Sequence, residues 1–265
     1  MRIATWNINS VRLRFGLVKR FLAEAKPDVL CLQETKAQNH QFPEAAFAKI
    51  GYVHQAFAGD KGYNGVAILS KLPIKAPKRL DWCAKGDSRH MSCELPGAIR
   101  LHNFYVPAGG DVPDTKANPK FAHKLQFVEE MTAYFEKTRK NRAKVVLVGD
   151  LNIAPFENDV WSHKQLLDVV SHTPQETERM AALYAAHDFV DAARHFRPEP
   201  EKVYTWWSYR AADWRASDRG RRLDHVWVTP ALKGALRRFE IFKDYRDGPK
   251  PSDHVPTVVD LAGAQ

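Results

Sequence analysis

The chain has 265 residues, enough for one large α/β domain or two small ones, and 44% of them are hydrophobic. No apolar run approaches the roughly 20 residues that cross a membrane, and the N-terminal residues enter a strand-like pattern without the layout of a signal peptide. Lysine and arginine number 40 against 31 aspartates and glutamates, and the formal charge of +9 favours a polyanionic partner, nucleic acid before an acidic membrane surface.

Three cysteines, Cys31, Cys83 and Cys93, have neither the spacing of a metal site nor the even number of a disulfide framework. Free thiols of this kind are typical of the reducing cytosol. We therefore expect a cytoplasmic protein that makes no membrane contact, with a monomer as the default state.

The first half of the chain alternates strand-like and helical patterns. Its first helix is marked by apolar residues at helical spacing between Leu17 and Leu22 and is ended by Pro27. In chain order we predict a strand in RIATWNI, the helix in SVRLRFGLVKRFLAEAK, a strand in DVLCLQET, a short helix in FPEAAFAKIG and neighbouring strands in YVHQAF and GVAILS.

The second half continues the alternation. Strands in HMSCEL and IRLHNFYVP precede the clearest helix, KFAHKLQFVEEMTAYFEKTRKN, and KVVLVGDLN follows as a strand buried on both faces. In TPQETERMAALYAA, Thr173 is a good N-cap and Glu176 completes a capping box; strands follow in LDHVWVT, RRFEIF and VPTVVDLA. No linker or repeat divides these elements, so we expect a layered α/β sandwich in one domain, residues 1–265.

Five of these apolar runs carry acidic or amide side chains at one end. One such end is usually a turn in which an Asx side chain bonds nearby backbone, but five are difficult to explain as unrelated turns. Buried carboxylates and amides need a partner, and ligand sites in open α/β folds lie where strand ends converge. We therefore expect these side chains to lie together: Asn7, Asn9, Glu34, Asp150, Asn152, Asp224, Asp253 and His254.

This set of side chains suits one kind of chemistry. Carboxylates supported by amides are hard oxygen ligands, which Mg²⁺ and Mn²⁺ prefer. A histidine beside an aspartate can bind an anionic oxygen or move a proton, and an ionised carboxylate can deprotonate water. The set indicates metal-assisted attack of water on a phosphodiester, in which the cation offsets charge that develops at phosphorus.

Six motifs occur in order between Met1 and Pro256: TWNIN, LCLQETK, NFYVP, VGDLNIAP, RRLDHVWV and SDHVP. Together they resemble the exonuclease III-type apurinic/apyrimidinic (AP) endonucleases of the endonuclease/exonuclease/phosphatase superfamily, over nearly the whole chain. The resemblance implies a four-layer α/β sandwich of two central mixed β-sheets flanked by helices. It also implies an exodeoxyribonuclease III-like hydrolase of DNA repair, which incises double-stranded DNA 5′ to abasic sites, removes nucleotides and blocking groups from 3′ ends, or both.

The resemblance further implies a metal site and leaves open whether it holds one ion or two. Glu34 is the main ligand in this interpretation, with Asn7 close by and Asn9 at a second position near the metal. The full set implied for Mg²⁺, with Mn²⁺ as a possible substitute, is Asn7, Asn9, Glu34, Asp150, Asn152 and Asp253.

The catalytic roles follow from the same resemblance. Asp150 orients or deprotonates the attacking water, Asn152 holds the scissile phosphate, and His254 contacts a phosphate oxygen. Either Asp224 or Tyr105 protonates the leaving group, a choice that the sequence leaves open. Tyr105 stands in an apolar run, so a plain core position is the alternative for it.

The residues that the resemblance places on DNA have alternatives of their own. Trp206 belongs to a pocket for a sugar that lacks its base, and Trp207 is then the core residue, since neighbours on a strand face opposite ways. Lys36 and Arg89 correspond to phosphate contacts, with solvated surface side chains as the alternative. The DNA contacts implied are Lys36, Arg89, Trp206, Arg221 and Leu223.

Three departures from the family pattern leave the balance between abasic-site incision and 3′-end processing open. Ala108 stands where relatives often have an amide that contacts phosphate. Arg221 replaces a common apolar pocket residue and either grips the DNA backbone or narrows the pocket. The loop FENDVWSHKQLLDVVSHTP does not resemble the usual DNA-gripping loop.

Two other functions remain as alternatives. A phosphoesterase of the same superfamily that acts on inositol phosphates or phospholipid would generally carry a second active-site histidine where this chain has Tyr105. A basic, aromatic DNA-binding module without activity would have no reason to retain every catalytic side chain.

Overall fold

Residues 1–263 are described by a computed structural model, in which short apolar runs form strands and longer amphipathic runs form helices. The strands are β1 (Arg2–Asn7), β2 (Val29–Gln33), β3 (His54–Ala58), β4 (Val66–Ser70), β5 (Lys75–Lys78), β6 (His90–Leu95), β7 (Ile99–Tyr105), β8 (Val145–Asp150), β9 (Val190–Asp191), β10 (Trp206–Trp207), β11 (Gly220–Arg221), β12 (Asp224–Val228), β13 (Leu236–Ile241) and β14 (Thr257–Leu261). The helices are α1 (Phe15–Ala25), α2 (Glu44–Lys49), α3 (Pro119–Thr138), α4 (His163–Leu166), α5 (Pro174–Ala186), α6 (Ala192–Phe196), α7 (Trp214–Ser217) and α8 (Pro230–Lys233), with 3₁₀ segments at Asn39–Gln41, Glu157–Asp159 and Lys243–Arg246.

The longer strands form two mixed sheets of six. The first sheet has the order β13-β14-β1-β2-β4-β3 and the second has the order β5-β6-β7-β8-β12-β9, while β10 and β11 form a separate ribbon. Each six-stranded sheet contains a parallel pair, β1 with β2 and β7 with β8. A parallel pair needs a long crossover, and α1 and α3 supply these two crossovers.

Alternation along the strands sends apolar side chains to separate cores. In β2, Val29 and Cys31 face the space between the sheets, whereas Leu30 and Leu32 pack on the outer face with Phe21 of α1. Strand β8 repeats the pattern, with α3 and α5 covering its outer face. The chain is therefore a four-layer α/β sandwich with the helices outside, and the predicted fold is confirmed.

Buried amides join the two sheets. Gln33 donates from Nε2 to Thr5 Oγ1 at 2.9 Å and across the interface to Asn103 Oδ1 at 2.7 Å. Asn103 in turn donates from Nδ2 to the carbonyl oxygens of Leu32 and Ala67, each at 3.0 Å. A buried network of this kind is satisfied in only one alignment, so it fixes how the strand ends of one sheet lie over those of the other.

Helices α3 and α5 are present near their predicted bounds, whereas α1 begins at Phe15, five residues after its predicted start. Thr173 and Glu176 form the reciprocal capping box at the start of α5. Seven short elements were not predicted (β5, β9, β11, α4, α6, α7 and α8), because runs of two to five residues show no detectable period. None of the helices within residues 1–263 has the length and apolarity to cross a membrane.

A buried pair of histidines in the second sheet must stay neutral. His90 accepts from the Leu80 N–H at its Nδ1 (3.2 Å), so its Nε2 carries the proton and donates to His102 Nδ1 at 3.1 Å. An added proton on either ring would break one of these bonds. Burial lowers the pKa of His102 to about 3 and that of His90 well below its ordinary range.

We expect this pair to make stability fall in mild acid. In the unfolded chain a histidine binds its proton below about pH 6.5, whereas His102 stays neutral in the fold down to about pH 3. The contribution of neutral His102 to the free energy of unfolding is therefore complete above about pH 6.5. It is lost as the pH falls, by about 2 kcal/mol at pH 5. Urea unfolding at pH 7.5 and pH 5 measures this loss of stability. In His102→Asn the loss should be smaller by about 2 kcal/mol. An equal loss in the variant and the wild-type protein would contradict a neutral buried His102.

Candidate active site

Five strands present predicted site residues at one edge of the two sheets. In the second sheet, the register pairs Tyr105 with Asp150 and Asp150 with Asp224, so these side chains stand in one row across β7, β8 and β12. In the first sheet, Asn7 is the last residue of β1 and Glu34 directly follows β2. Strand pairing thus brings together five residues that are far apart in the chain.

Asn7 joins the two sheets at this edge. Its Nδ2 donates to Glu34 Oε1 at 2.9 Å and to Asp150 Oδ2 at 2.8 Å, which uses both amide hydrogens. Asn152 donates to the same aspartate, from Nδ2 to Oδ2 at 3.1 Å and from its backbone N–H to Oδ1 at 2.9 Å. The Asp150 carboxylate is fully buried, and these donors fix its orientation.

Four of the site residues, Lys36 (φ +48°) among them, have a left-handed backbone conformation. The φ angle is +47° at Asn9, +48° at Glu34 and +53° at Asn152. Asparagine tolerates this region, but a glutamate there is uncommon. Strained backbone is retained where surrounding bonds over-determine it, which is often at functional sites.

His254 lies between two buried carboxylates. Its Nδ1 is 2.8 Å from Asp224 Oδ2 and its Nε2 is 3.6 Å from Asp150 Oδ2. Burial opposes the charged ring, but the negative charges of Asp224 and Asp150 outweigh it and raise the pKa of His254 to about 10. Burial also raises the pKa of Asp150 to about 7, against the opposing charge of His254. His254 is therefore a cation at neutral pH and a donor at both nitrogens.

Glu34 faces a lysine and a tyrosine. Lys36 Nζ is 2.9 Å from Glu34 Oε2. Burial favours the neutral carboxyl, but the charge of Lys36 and hydrogen bonds from Asn7 and Lys36 outweigh burial and lower the pKa of Glu34. Burial, followed by the charge of Glu34, raises the pKa of Tyr105 well above its ordinary range. Glu34 is therefore ionised while the Tyr105 hydroxyl keeps its proton.

Asp253 is tied to both sides of the cluster. It accepts from Asn9 Nδ2 at 3.2 Å and from Trp206 Nε1 at 2.9 Å. Burial favours its neutral form, but the charge of His254 and these hydrogen bonds lower the pKa of Asp253. Asn9 also accepts from Lys36 Nζ at 2.6 Å, so the residues predicted around the metal form one connected network.

The donors at this edge suit a hard divalent cation. Ligand atoms of Asp150, Asp224 and His254 all lie within 4.8 Å of one another, but the Nδ1 atom of His254 is already engaged by Asp224 at 2.8 Å. Glu34, which shares the Asn7 amide with Asp150, is the better oxygen donor. The raised pKa of Asp150 reflects burial beside other carboxylates, and a cation offsets such an excess of negative charge. Oxygen ligands of this kind fit Mg²⁺ or Mn²⁺.

Trp206, Arg221 and Leu223 line a cavity on one side of this cluster. The Arg221 guanidinium lies 5.3 Å from the centre of the Trp206 ring and donates from Nη1 to Val170 O at 2.9 Å and Ser171 Oγ at 2.7 Å. These contacts turn the Arg221 head group along the pocket wall. The tryptophan that follows Trp206 is buried, as predicted.

Lys36 and Arg89 line a second cavity on the other side. The Arg89 side chain is largely buried, pairs with Asp87 at 2.6 Å and lies 4.7 Å from the centre of the Tyr105 ring. The alternative of a freely solvated Arg89 is therefore wrong. Its contacts support the ring of Tyr105 as well as the cavity wall.

The two cavities form a groove through the cluster. Their volumes are about 670 and 750 Å³, and both are lined by Glu34, Ala108 and Gly110. Cationic side chains line both: Lys36, Lys85, Arg89 and Lys120 on one side, and Arg210, Arg219 and Arg221 on the other. Glu34 thus lies midway along a groove that has cationic side chains on both sides, and Asp150 is buried behind it, joined to it through the Asn7 amide.

Ser252 is one of the supporting residues that were missed in the sequence. Ser252 donates from Oγ to Asn7 O at 2.6 Å and accepts from the His254 N–H at 3.2 Å. It fastens the end of β1 to the turn that carries His254. Its place two residues before that histidine was the only available signal.

The fold and this edge define a class of protein, the phosphoesterases built on two packed mixed sheets. Residues 4–254 match the endonuclease/exonuclease/phosphatase family, and the chain belongs to that family. It is 30% identical over 268 residues to the exodeoxyribonuclease III of Haemophilus influenzae, with 97% of this chain and 98% of the relative covered. An exodeoxyribonuclease of Bacillus subtilis is also 30% identical, with 97% of each chain covered.

Solved structures agree with this assignment. An AP endonuclease from Archaeoglobus fulgidus superposes with a TM-score of 0.92 at 36% identity, with 99% of each chain covered. The 3′ phosphatase NExo from Neisseria, bound to product DNA hairpin, gives 0.90 at 31% identity over 98% of this chain and 99% of that one. The family inferred from six sequence motifs is confirmed.

Proposed function

We propose that this protein is a divalent-metal-dependent DNA-repair phosphodiesterase that cuts 5′ to abasic sites, processes 3′ ends of double-stranded DNA, or does both. The observation that carries the proposal is the juxtaposition of Asp150, held by Asn7 and Asn152, with the ring of His254, beside a groove that has cationic side chains on both sides of Glu34. The relatives named exodeoxyribonuclease III, AP endonuclease and 3′ phosphatase support it.

Asp150 is the group that orients the attacking water and takes its proton. Its carboxylate is held by amide donors, so its direction is set before substrate binds. As the water oxygen bonds to phosphorus, the bond to the leaving oxygen breaks. A positioned base of this kind contributes a factor of about 10² to 10⁴ in rate.

Two donors act on the phosphate and its leaving oxygen. The His254 cation, kept charged and oriented by Asp224, donates to a phosphate oxygen. Asp224 is engaged as the acceptor of that bond, so Tyr105 is the group we assign to the leaving oxygen. Its hydroxyl retains its proton between Glu34 and the wall formed by Arg89.

Mg²⁺, or Mn²⁺ in its place, is the cation we propose for this site, and Glu34, Asp150, Asn7, Asn9, Asn152 and Asp253 are the residues that would hold it. When bound, the ion supplies positive charge against the negative charge that develops at phosphorus. The donor set consists of oxygens, and the adjacent Lys36 shows that Glu34 accepts a cationic partner.

The shape of the groove favours a polymer over a small phosphate ester. Cationic side chains extend from the carboxylates in both directions, as a strand that continues past the cut would require. Arg221 lies against Trp206 in the wall at that end of the groove. Lys36 and Arg89 line the other end, where they contact the DNA backbone in this proposal.

The test compares rates on a duplex with one synthetic abasic site, a recessed 3′ end and a 3′-phosphate end, each with Mg²⁺ and with EDTA. We expect cleavage of at least one of these substrates, no cleavage in EDTA, and recovery when excess Mg²⁺ is added. Affinity for DNA should fall steeply with salt, because each phosphate contact releases counterions. DNA binding without cleavage under any divalent metal, or hydrolysis of inositol phosphates alone, would overturn the proposal.

A further inference from the structure

A buried ion pair lies directly behind the groove and lines neither cavity. Lys124 of α3 and Glu176 of α5 form a salt bridge whose two side chains are fully shielded from solvent. Lysine and glutamate are rarely buried to this extent. Replacing a buried ion pair by apolar residues is often neutral or stabilising, so stability alone gives little reason for this pair.

The ammonium of Lys124 holds the backbone of two groove residues. It donates to Asn152 O at 2.7 Å and to Ala108 O at 3.2 Å, and the Glu176 carboxylate takes the third position. An ammonium has three hydrogens, so all are used. Gly109 leaves room for the stem, since a Cβ there would lie 2.8 Å from Lys124 Cδ.

The two carbonyl groups belong to residues that shape the reaction site. Asn152 has a left-handed backbone, with φ at +53°, and its side chain contacts the Asp150 carboxylate. Ala108 lines both cavities of the groove. Lys124 therefore links the backbone of the strained turn at Asn152 to the backbone of the loop at Ala108.

Glu176 extends the same network to the pocket wall. Both its oxygens accept from the Ser171 N–H, at 2.9 and 2.8 Å, beyond the Thr173 bonds that the helix cap requires. Ser171 has φ at +93°, and its Oγ accepts from Arg221, which lies over Trp206. One buried pair thus reaches Asn152 on one side and the Arg221–Trp206 wall on the other.

We infer that Lys124 and Glu176 form a positioning pair, which holds the Asn152 turn and the pocket wall in the arrangement that the reaction needs. The inference rests on the proposed phosphodiesterase function. The pair touches no substrate and acts through Asn152 and Arg221. Loss of a supporting shell of this kind typically costs 10-fold to 100-fold in rate, because a small misplacement of a reacting group is enough.

The experiment uses the double variant Lys124→Met with Glu176→Gln, which removes both charges together and keeps an oxygen to accept from Ser171. We expect kcat on the best DNA substrate to fall about 10-fold to 100-fold. The Kd for the same DNA, measured in EDTA, should change by a smaller factor than kcat, since neither residue faces the groove. Glu176→Asp keeps the charge but is one methylene shorter, so it should lower kcat less than the double variant does. It replaces the double variant in the experiment if that variant does not fold.

Val128→Ala is the matched control, because Val128 lies one turn after Lys124 on α3 and is buried against the second sheet. It should lower stability while leaving kcat within about twofold, when all proteins are assayed well below their melting temperatures. Unchanged kcat in both pair variants, or an equal fall in Val128→Ala, would overturn the inference. A wild-type protein that cleaves no DNA would instead overturn the proposed function.

Discussion

Asp150→Asn is expected to lower kcat on the preferred DNA substrate by about a thousandfold or more. The amide cannot accept the proton of the attacking water, and a positioned base contributes about 10² to 10⁴. The substitution also removes a charge from a donor set whose members share the Asn7 amide. Single-turnover cleavage at saturating protein and Mg²⁺ measures the chemical step apart from product release.

Asp188→Asn provides the matched control for that measurement. Asp188 is exposed, pairs with Arg139 and lies outside both cavities of the groove. The same chemical change there should alter kcat by less than about twofold, as exposed ion pairs contribute little. If Asp150→Asn retained more than about a tenth of the wild-type rate, Asp150 would not be the base.

The second large effect is expected at His254. Because this cation lies between two carboxylates, its removal takes away the donor to phosphate and leaves Asp224 without its buried partner. We expect His254→Ala to lower kcat by about 10² to 10³, the usual effect of losing one donor to a developing oxyanion. Asp224→Asn should lower it by about 10-fold to 100-fold.

Non-additive effects of substitutions on kcat would show that Asp224 and His254 act together and not independently. If Asp224 acts by orienting and charging His254, the double variant should be no more than about threefold slower than His254→Ala. A product of the two single effects would show that Asp224 has a separate role, such as protonating the leaving group. His187→Ala, at another buried histidine away from the groove, controls for the loss of a buried ring.

Much of the site was predictable because strand pairing obeys simple rules. An apolar run that ends in Glu34 or Asp150 must place that carboxylate at a sheet edge, and the polar ends of several strands gather at one edge of the sandwich. The register then pairs Asp150 with Asp224, residues 74 positions apart, without any further signal. The row of Tyr105, Asp150 and Asp224 therefore follows from the pairing of β7, β8 and β12.

The supporting contacts were not predictable, since they depend on three-dimensional approach. The capping box identified Glu176, but nothing in the sequence indicated that its carboxylate also forms a salt bridge with Lys124 of another helix. The direction of Arg221 was likewise open, because β10 and β11 are too short to show a period. Pairing of those two strands places Arg221 opposite Trp206, which turns its head group along the pocket wall.

The most direct test is a crystal structure of the protein with Mn²⁺ and a cleaved DNA strand, in which anomalous scattering locates the metal. We expect a Mn²⁺ peak at coordination distance, about 2.0 to 2.2 Å, from a Glu34 carboxylate oxygen, with the product phosphate between Asn152 and His254. A peak elsewhere, or a phosphate that reaches none of these side chains in crystals that still cleave DNA, would contradict convergence of the strand ends on one ion and one phosphate.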